Sequence, residues 1–408
     1  MVNNLRADAL HLLEANILPF WSTRMVDNER GGFYGRIDGH NTLHPDAPKG
    51  AVLNARILWT FASACRVLHR MPYRILAARA KDYLMQRFID HEYGGVFWSL
   101  HADGTPLDTK KQTYAISFAI YGLAEYHRAT GDQEALDTAI SLFHDIETHA
   151  FSSPVTGNPS SVTHGYIEAL TRDWQPIADM RLSDKDENGT FTMNTHLHVL
   201  EAYTNLYRVW RDPLLEHQLR NLIVIFTNRI YNPETGHLNL FFDEEWKIIN
   251  HKFEIINHKF EIINHKYSPG HDIEAAWLLH EALDVLGDNE LLNCTLPVIR
   301  SLAQAAEDGI LRESEWWCYA EAVVGYIDQW QLLAQDPATQ TESEINLQLA
   351  QAAYEFIRTR LIDRKHGEWY WSVRPDGTPD TGHDKAGFWK CPYHNSRMCY
   401  ELIERLNN

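Results

Sequence analysis

The chain has 408 residues, 44% of them hydrophobic, and carries a formal net charge of −18 from 37 Lys and Arg against 55 Asp and Glu. So acidic a balance excludes nucleic acid and an anionic membrane surface as partners, because either needs a basic patch to neutralise phosphates. Five cysteines, Cys65, Cys294, Cys318, Cys391 and Cys399, form no C-x-x-C pair and no even set, so reduced thiols and a cytoplasmic location are expected.

From Met1 to Trp21 apolar and charged residues alternate at helical spacing, with Arg6, Asp8 and Glu14 breaking any continuous apolar core. This predicts an amphipathic helix, not a signal peptide or a membrane span. An acidic turn with glycine and a short aromatic strand follows at Asp27 to Tyr34. The same element returns at His91 to Trp98, Asn232 to Asn239 and Asp363 to Tyr370, often closed by a second turn such as Asp103-Gly104 or Asp376-Gly377. Weaker copies near Gly157 and Gly309 bring the count to six units.

Two helical patterns separate successive elements, for example Ala51 to Leu68 and Arg74 to Phe88, then Gln112 to Ala129 and Glu134 to Ala150. No single pair can bury its apolar faces alone. Six pairs predict an all-α (α/α)6 barrel, six inner and six outer helices with short β-hairpins in the connections, as one domain over residues 1–408. An open superhelix is the other arrangement, disfavoured by the lack of a capping repeat. Residues 246–266 read WKIINHK, FEIINHK, FEIINHK, a heptad in three copies. It is read as an inserted loop whose period allows a helix, a hairpin or an extended segment, with His251, His258 and His265 on its surface.

Polar residues out of place in an apolar core stand where inner helices begin. They are Asn54 and Arg56, Gln112 and Tyr114, Asn194 and His198, His271 and Glu274, Trp316 and Trp317, and His394. If these starts share one end of the barrel, they floor a single cleft. Helix N-termini favour anions and disfavour imidazolium, which suits neutral histidine bases beside a developing oxyanion. Residues two apart on a helix face different sides, so His196 is expected to be structural and the H-x-H of His196 and His198 no metal site. Asp272, Glu274 and Glu321 read either as a glycosidase carboxylate pair or as partners of histidines and sugar hydroxyls, and Arg397 as a structural ion-pair residue. Aromatic residues make up 12% of the chain, with 13 Trp, whose flat faces suit sugar rings.

The segments APKGAVLNARILW, QTYAISFAIYGLAEY, MNTHLHVLEAYTNLYR, SPGHDIEAAWLL, EWWCYAEAVVGY and GFWKCPYHNSRMCYE span nearly the whole chain. Together they resemble the N-acylglucosamine 2-epimerase superfamily, above all its cellobiose 2-epimerase and mannose 2-epimerase members. The resemblance implies an isomerase that reversibly epimerises C2 of a free sugar, or of the reducing-end sugar of a β-1,4 disaccharide. It places the acid/base pair at His271 and His394, with His198 assisting and Arg56 at the oxygen of the intermediate. Tyr114, Asn194, Glu274, Trp317 and Trp389 match positions that hold sugar hydroxyls and ring faces. The heptad insertion just before His271 departs from the family and favours a monosaccharide such as D-mannose or D-glucose, with cellobiose the alternative.

Such chemistry needs ring opening, since only a neighbouring carbonyl acidifies the C2 proton, and then a cis-enediolate between two bases. No nicotinamide is expected, as no glycine fingerprint lies in a strand-turn-helix context, and no metal. The partner is a small sugar, bound by a monomer or weak homodimer. Two other classes compete: an inverting glycoside hydrolase using carboxylates such as Asp272 and Glu321, and a non-catalytic sugar binder.

Overall fold

The computed structural model describes residues 2–152, 164–249, 253–256, 259–262, 267–310 and 312–406. Six helices line the middle: Ala51–Leu68, Thr113–Thr130, Met193–Val209, Pro269–Leu286, Trp316–Leu333 and Tyr393–Arg405. Each packs on the next and the sixth returns to the first, so the ring is closed. Six outer helices, 2–24, 71–88, 133–150, 213–230, Asn289–Ile310 and 340–361, each back one of them. This is the (α/α)6 barrel that the repeat predicts, and closure leaves no inner face for a cap to cover.

Composition sorts the two layers. In Ala51–Leu68 every residue from Ala51 to Ala64 is buried, the mark of a helix surrounded by others. Its length and apolarity would also let it cross a membrane, yet 78% of it is buried inside the ring. The outer helix that begins at Gln133 instead buries one stripe, Ala135, Leu136, Ala139, Leu142 and Phe143, and starts where the Asp132 side chain accepts the Ala135 amide.

The predicted acidic turns are built alike. Asp27, Asp90 and Asp363 each accept two backbone amides of the turn through one carboxylate oxygen. Each holds a buried lysine through the other, Lys49 at 2.9 Å, Lys111 at 2.8 Å, and Lys385. In the fourth unit Asn232 makes the same turn as a neutral side chain. Gly31, Gly94, Gly236 and Gly367 take the left-handed backbone there, where a β-carbon is strained.

One expectation changes. Gly309 does not open a turn but lies in the last turn of Asn289–Ile310, where a β-carbon would meet Pro269 Cγ at 2.2 Å. Its glycine serves helix packing. Gly157 lies outside the described residues. Within the heptad insertion Phe253–Ile256 pairs antiparallel with Lys259–Ile262, the hairpin among its three readings. His251, His258 and His265 lie outside the described residues.

Short strands lead into the inner helices. Lys49–Gly50 pairs with Ser99–Leu100, Lys111–Gln112 with Ala169–Leu170, and Phe191–Thr192 with Phe241–Phe242. Single bridges, Glu315 to Ser372 and Ile37 to Ala386, continue this rim. Five of the six inner helix starts are thus pinned to a neighbouring connection at one end of the ring, and at the remaining one Asp272 in the first turn of Pro269–Leu286 accepts the Leu238 amide.

Candidate active site

The nine residues singled out in the sequence come to that end of the ring. Arg56 is 2% exposed. It donates from Nη2 to the Tyr114 hydroxyl at 2.8 Å, and its guanidinium lies over the rings of Phe118 and Tyr393 at 4.1 and 4.5 Å. The Tyr114 ring meets His198 at 5.0 Å and Trp389 at 6.0 Å. Trp317 stands between two histidines, 4.7 Å from the ring of His271 and 5.7 Å from that of His394. Asn194 lies one helical turn before His198 with its Oδ1 buried and without a partner among the described residues.

Each histidine is held from behind through Nδ1. His198 Nδ1 meets Glu201 Oε2 at 2.8 Å, His394 Nδ1 meets Glu321 Oε1 at 2.7 Å, and His271 Nδ1 meets Ser268 Oγ at 2.6 Å. A carboxylate only accepts, so His198 and His394 carry their proton on Nδ1 and keep the Nε2 lone pair free. Ser268 is the residue before helix Pro269–Leu286. Its hydroxyl both donates and accepts, so it anchors His271 without fixing its tautomer.

The electrostatics add burial and neighbouring charges to the helix-end field expected from the sequence. Burial, then repulsion from His198 whenever that ring is protonated, pushes His271 down to about 3. Burial, followed by Arg56, Arg397, His198 and His271, holds His394 well below the usual histidine range. Desolvation and neighbouring cations keep these rings neutral, in the same sense as the field of the helix ends. The same neighbours put Arg56 and all three histidines in one electrostatic environment.

Beneath them Arg397 bonds Glu201 and Glu274 and lies 2.7 Å from Glu321 Oε2. Burial alone would raise Glu201, but Arg397 and the His198 bond override it and leave it at about 2. Glu274 goes the other way, to about 7, through burial and the like charge of Glu321. Its Oε2 has no partner among the described residues. Glu274, Glu321 and His394 offer three ligand atoms within 4.8 Å of one another. Arg397 already bonds both carboxylates, so a metal ion there would face a guanidinium.

Asp272 accepts from His237 at 2.7 Å and from the Leu238 amide at 3.0 Å, which takes it out of any carboxylate pair with Glu321. His196 bonds the Thr192 carbonyl through Nδ1 and accepts the Tyr166 amide at Nε2, so both nitrogens are spent on structure. Trp316 is 2% exposed and packs on Trp371, leaving Trp317 as the cleft residue of the pair. The sequence by itself does not single out Glu201, Tyr393, Cys391 or Ser268. Glu201 follows His198 by three, a spacing that puts both on one helix face; Cys391, 3.5 Å from Arg56 Nη1, has no such signal.

The sequence pattern of the N-acylglucosamine 2-epimerase (GlcNAc 2-epimerase) family matches residues 32–396. A cellobiose 2-epimerase of Bacteroides fragilis is 50% identical over 408 residues, covering 96% of each chain. A second, from Ruminococcus albus, is 36% identical and covers 99% of each. The solved structure of a cellobiose 2-epimerase from Bacillus thermoamylovorans superposes with a TM-score of 0.86 at 36% identity, covering 99% of this chain and 100% of that one.

Proposed function

The chain belongs to the N-acylglucosamine 2-epimerase family, and from that premise we propose that it is a carbohydrate 2-epimerase which inverts C2 of a reducing sugar through ring opening and a cis-enediolate. The observation that carries this reading is that Trp317 meets both His271 and His394, whose charge state in turn responds to Arg56 and His198.

The arrangement supports a role for each group. His198, with Nε2 bare, assists ring opening by moving the proton of the anomeric hydroxyl. The open-chain aldehyde then acidifies C2. One of His271 and His394, entering as the neutral base, takes the C2 proton through its free nitrogen and gives the enediolate; the other, entering as imidazolium with a proton drawn from solvent, returns it to the opposite face. Arg56 donates to the oxygen that gains charge, and a preorganised cation in a dry site is where such stabilisation is greatest. Tyr114, Asn194, Glu274, Trp317 and Trp389 hold hydroxyls and ring faces, the tryptophans by stacking. The carboxylates behind the histidines are buried and bound to Arg397, which argues against their use as the water-activating pair of an inverting hydrolase.

Two substrates remain. The monosaccharide reading rests on the insertion before His271; the disaccharide reading is favoured by the names of the relatives, which are cellobiose 2-epimerases. Incubation with D-mannose, D-glucose or cellobiose in D2O, followed by proton NMR, tests both. Epimer formation with deuterium at C2 is expected, and the sugar that reacts fastest names the substrate. Cleaved sugar, or no change with any of the three, would sink the reading.

A further inference from the structure

Arg397 is 1% exposed and lies under the cleft, in the second turn of helix Tyr393–Arg405. Its guanidinium reaches three carboxylates on three other inner helices: Glu201 of Met193–Val209, Glu274 of Pro269–Leu286 and Glu321 of Trp316–Leu333. The plane of the group lies over Trp277 at 4.8 Å and Tyr393 at 4.2 Å. Two of those carboxylates are the groups that hold His198 and His394 through Nδ1, and the third, Glu274, lies 3.9 Å from His394 Nδ1.

We propose that Arg397 is a positioning residue for the epimerisation chemistry, which orients His198 and His394 together by keeping the carboxylates behind them anionic and fixed. Three carboxylates in a dry core repel one another, and burial favours their neutral forms. A neutral carboxyl donates a hydrogen bond where a carboxylate accepts one. Behind His394 a protonated Glu321 would drive the ring to its other tautomer and spend the wrong nitrogen. A planar fork bonds several carboxylates at fixed angles, which a lysine point charge does not. One guanidinium thereby sets the same tautomer on two helices, with both Nε2 atoms directed away from the carboxylates. The inference rests on the proposed function for its kinetic consequences, but not for the tautomers and charges themselves.

The charged and titratable groups around His394 are Arg56, His198, Glu201, His271, Glu274, Glu321 and Arg397, drawn from five of the six inner helices. Arg56 and Arg397 oppose its protonation. Taking Arg397 away favours imidazolium, so the acidic limb of kcat/KM moves to higher pH. A residue with a purely structural role would not move that limb.

The test compares full-length wild type with Arg397→Gln and Arg397→Lys. Their folds are checked by circular dichroism, C2 deuterium exchange is followed across pH, and histidine resonances are titrated by 15N NMR. Arg397→Gln is expected to lower kcat on the order of 10²-fold, with KM changed less than about threefold. The His394 titration and the acidic limb should both move up in pH. Arg397→Lys, which keeps the charge, should lose turnover with little movement of the limb. Wild-type His198 and His394 should show the Nδ1–H tautomer, a readout that stands even if neither variant folds. The proposal is overturned by Nε2–H on either ring, by wild-type turnover in Arg397→Gln, or by lost turnover with His394 titrating where it does in wild type. Because the NMR titration needs no substrate, a wild type that epimerises nothing would count against the functional reading alone.

Discussion

His394 Nδ1 and Glu321 Oε1 meet at 2.7 Å, with Glu321 wholly buried and His394 7% exposed. The contact decides which nitrogen of the ring faces the cleft. Glu321 is itself held by Arg397 and by the Trp277 indole at 3.1 Å. Glu321→Gln keeps the shape but removes the charge that makes the ring basic and fixes its tautomer. Turnover is expected to fall on the order of 10²-fold or more, with KM little changed, as read from initial rates of epimer formation.

His271→Ala and His394→Ala should each lower C2 deuterium exchange by roughly 10²- to 10⁴-fold, the worth of one positioned acid/base group. Near-normal exchange in either variant would show that two bases are not required. Trp317→Phe, which keeps a flat ring between the two histidines, should retain more activity than Trp317→Ala in the same assay.

Stability should fall gently from pH 6.5 to 4.5, where three histidines outweigh two glutamates, and then collapse. His196, His271 and His394 have folded values below the ordinary 6.5. In that interval the unfolded chain therefore binds more protons at these positions, and stability falls as pH falls. Glu168 and Glu274, both raised to about 7 from 4.5, act in the opposite sense: the folded state binds more protons between those values, and stability rises as pH falls. Below about 4.5 the glutamates have made their contribution while His271 still resists protonation down to about 3. Glu201, depressed to about 2, is then also losing its charge-dependent stabilisation. Thermal midpoints at half-unit pH intervals check the shape. Glu168→Gln should make the fall between pH 6.5 and 4.5 steeper.

Glu368 occupies the turn position that glycine holds at Gly32 and Gly95, with φ of +63°. A side chain there costs about 1–2 kcal/mol of backbone strain. Its carboxylate offsets this by holding Lys390 at 2.7 Å and Asn395 at 2.6 Å, the residues beside Trp389 and His394. Glu368→Gly relieves the strain but leaves Lys390 buried without its carboxylate, a loss of about 3–5 kcal/mol. The second effect is larger. The variant should be less stable by roughly 2 kcal/mol in urea unfolding, the difference between the two, and should bind sugar more weakly.

Much of the architecture was written in local chemistry. The Asp27, Asp90 and Asp363 turns repeat because a carboxylate that accepts its own turn's amides is a two- to three-residue affair, and such turns are visible as letters. The helices from Ala51 to Leu68 and beyond are visible because burial on all sides requires an unbroken apolar run. His198, His271, His394 and Arg56 stood out for the converse reason, as polar groups in places where burial is costly. Gly309 misled, because a glycine selected by a close helix contact looks the same in sequence as one selected by a turn.

The sequence alone determined the layers, the repeat and the residues that gather at one end, since periodicity and polarity act over a few residues at a time. What only the tertiary structure decided is which group stands behind which. Glu321 and His394 are 73 positions apart, and Arg397 reaches Glu201 across 196 and Glu274 across 123. No local rule links such positions. Closure of the ring brings them within a hydrogen bond, and in a space that excludes water the bond, not the residue type, sets which nitrogen is free to act.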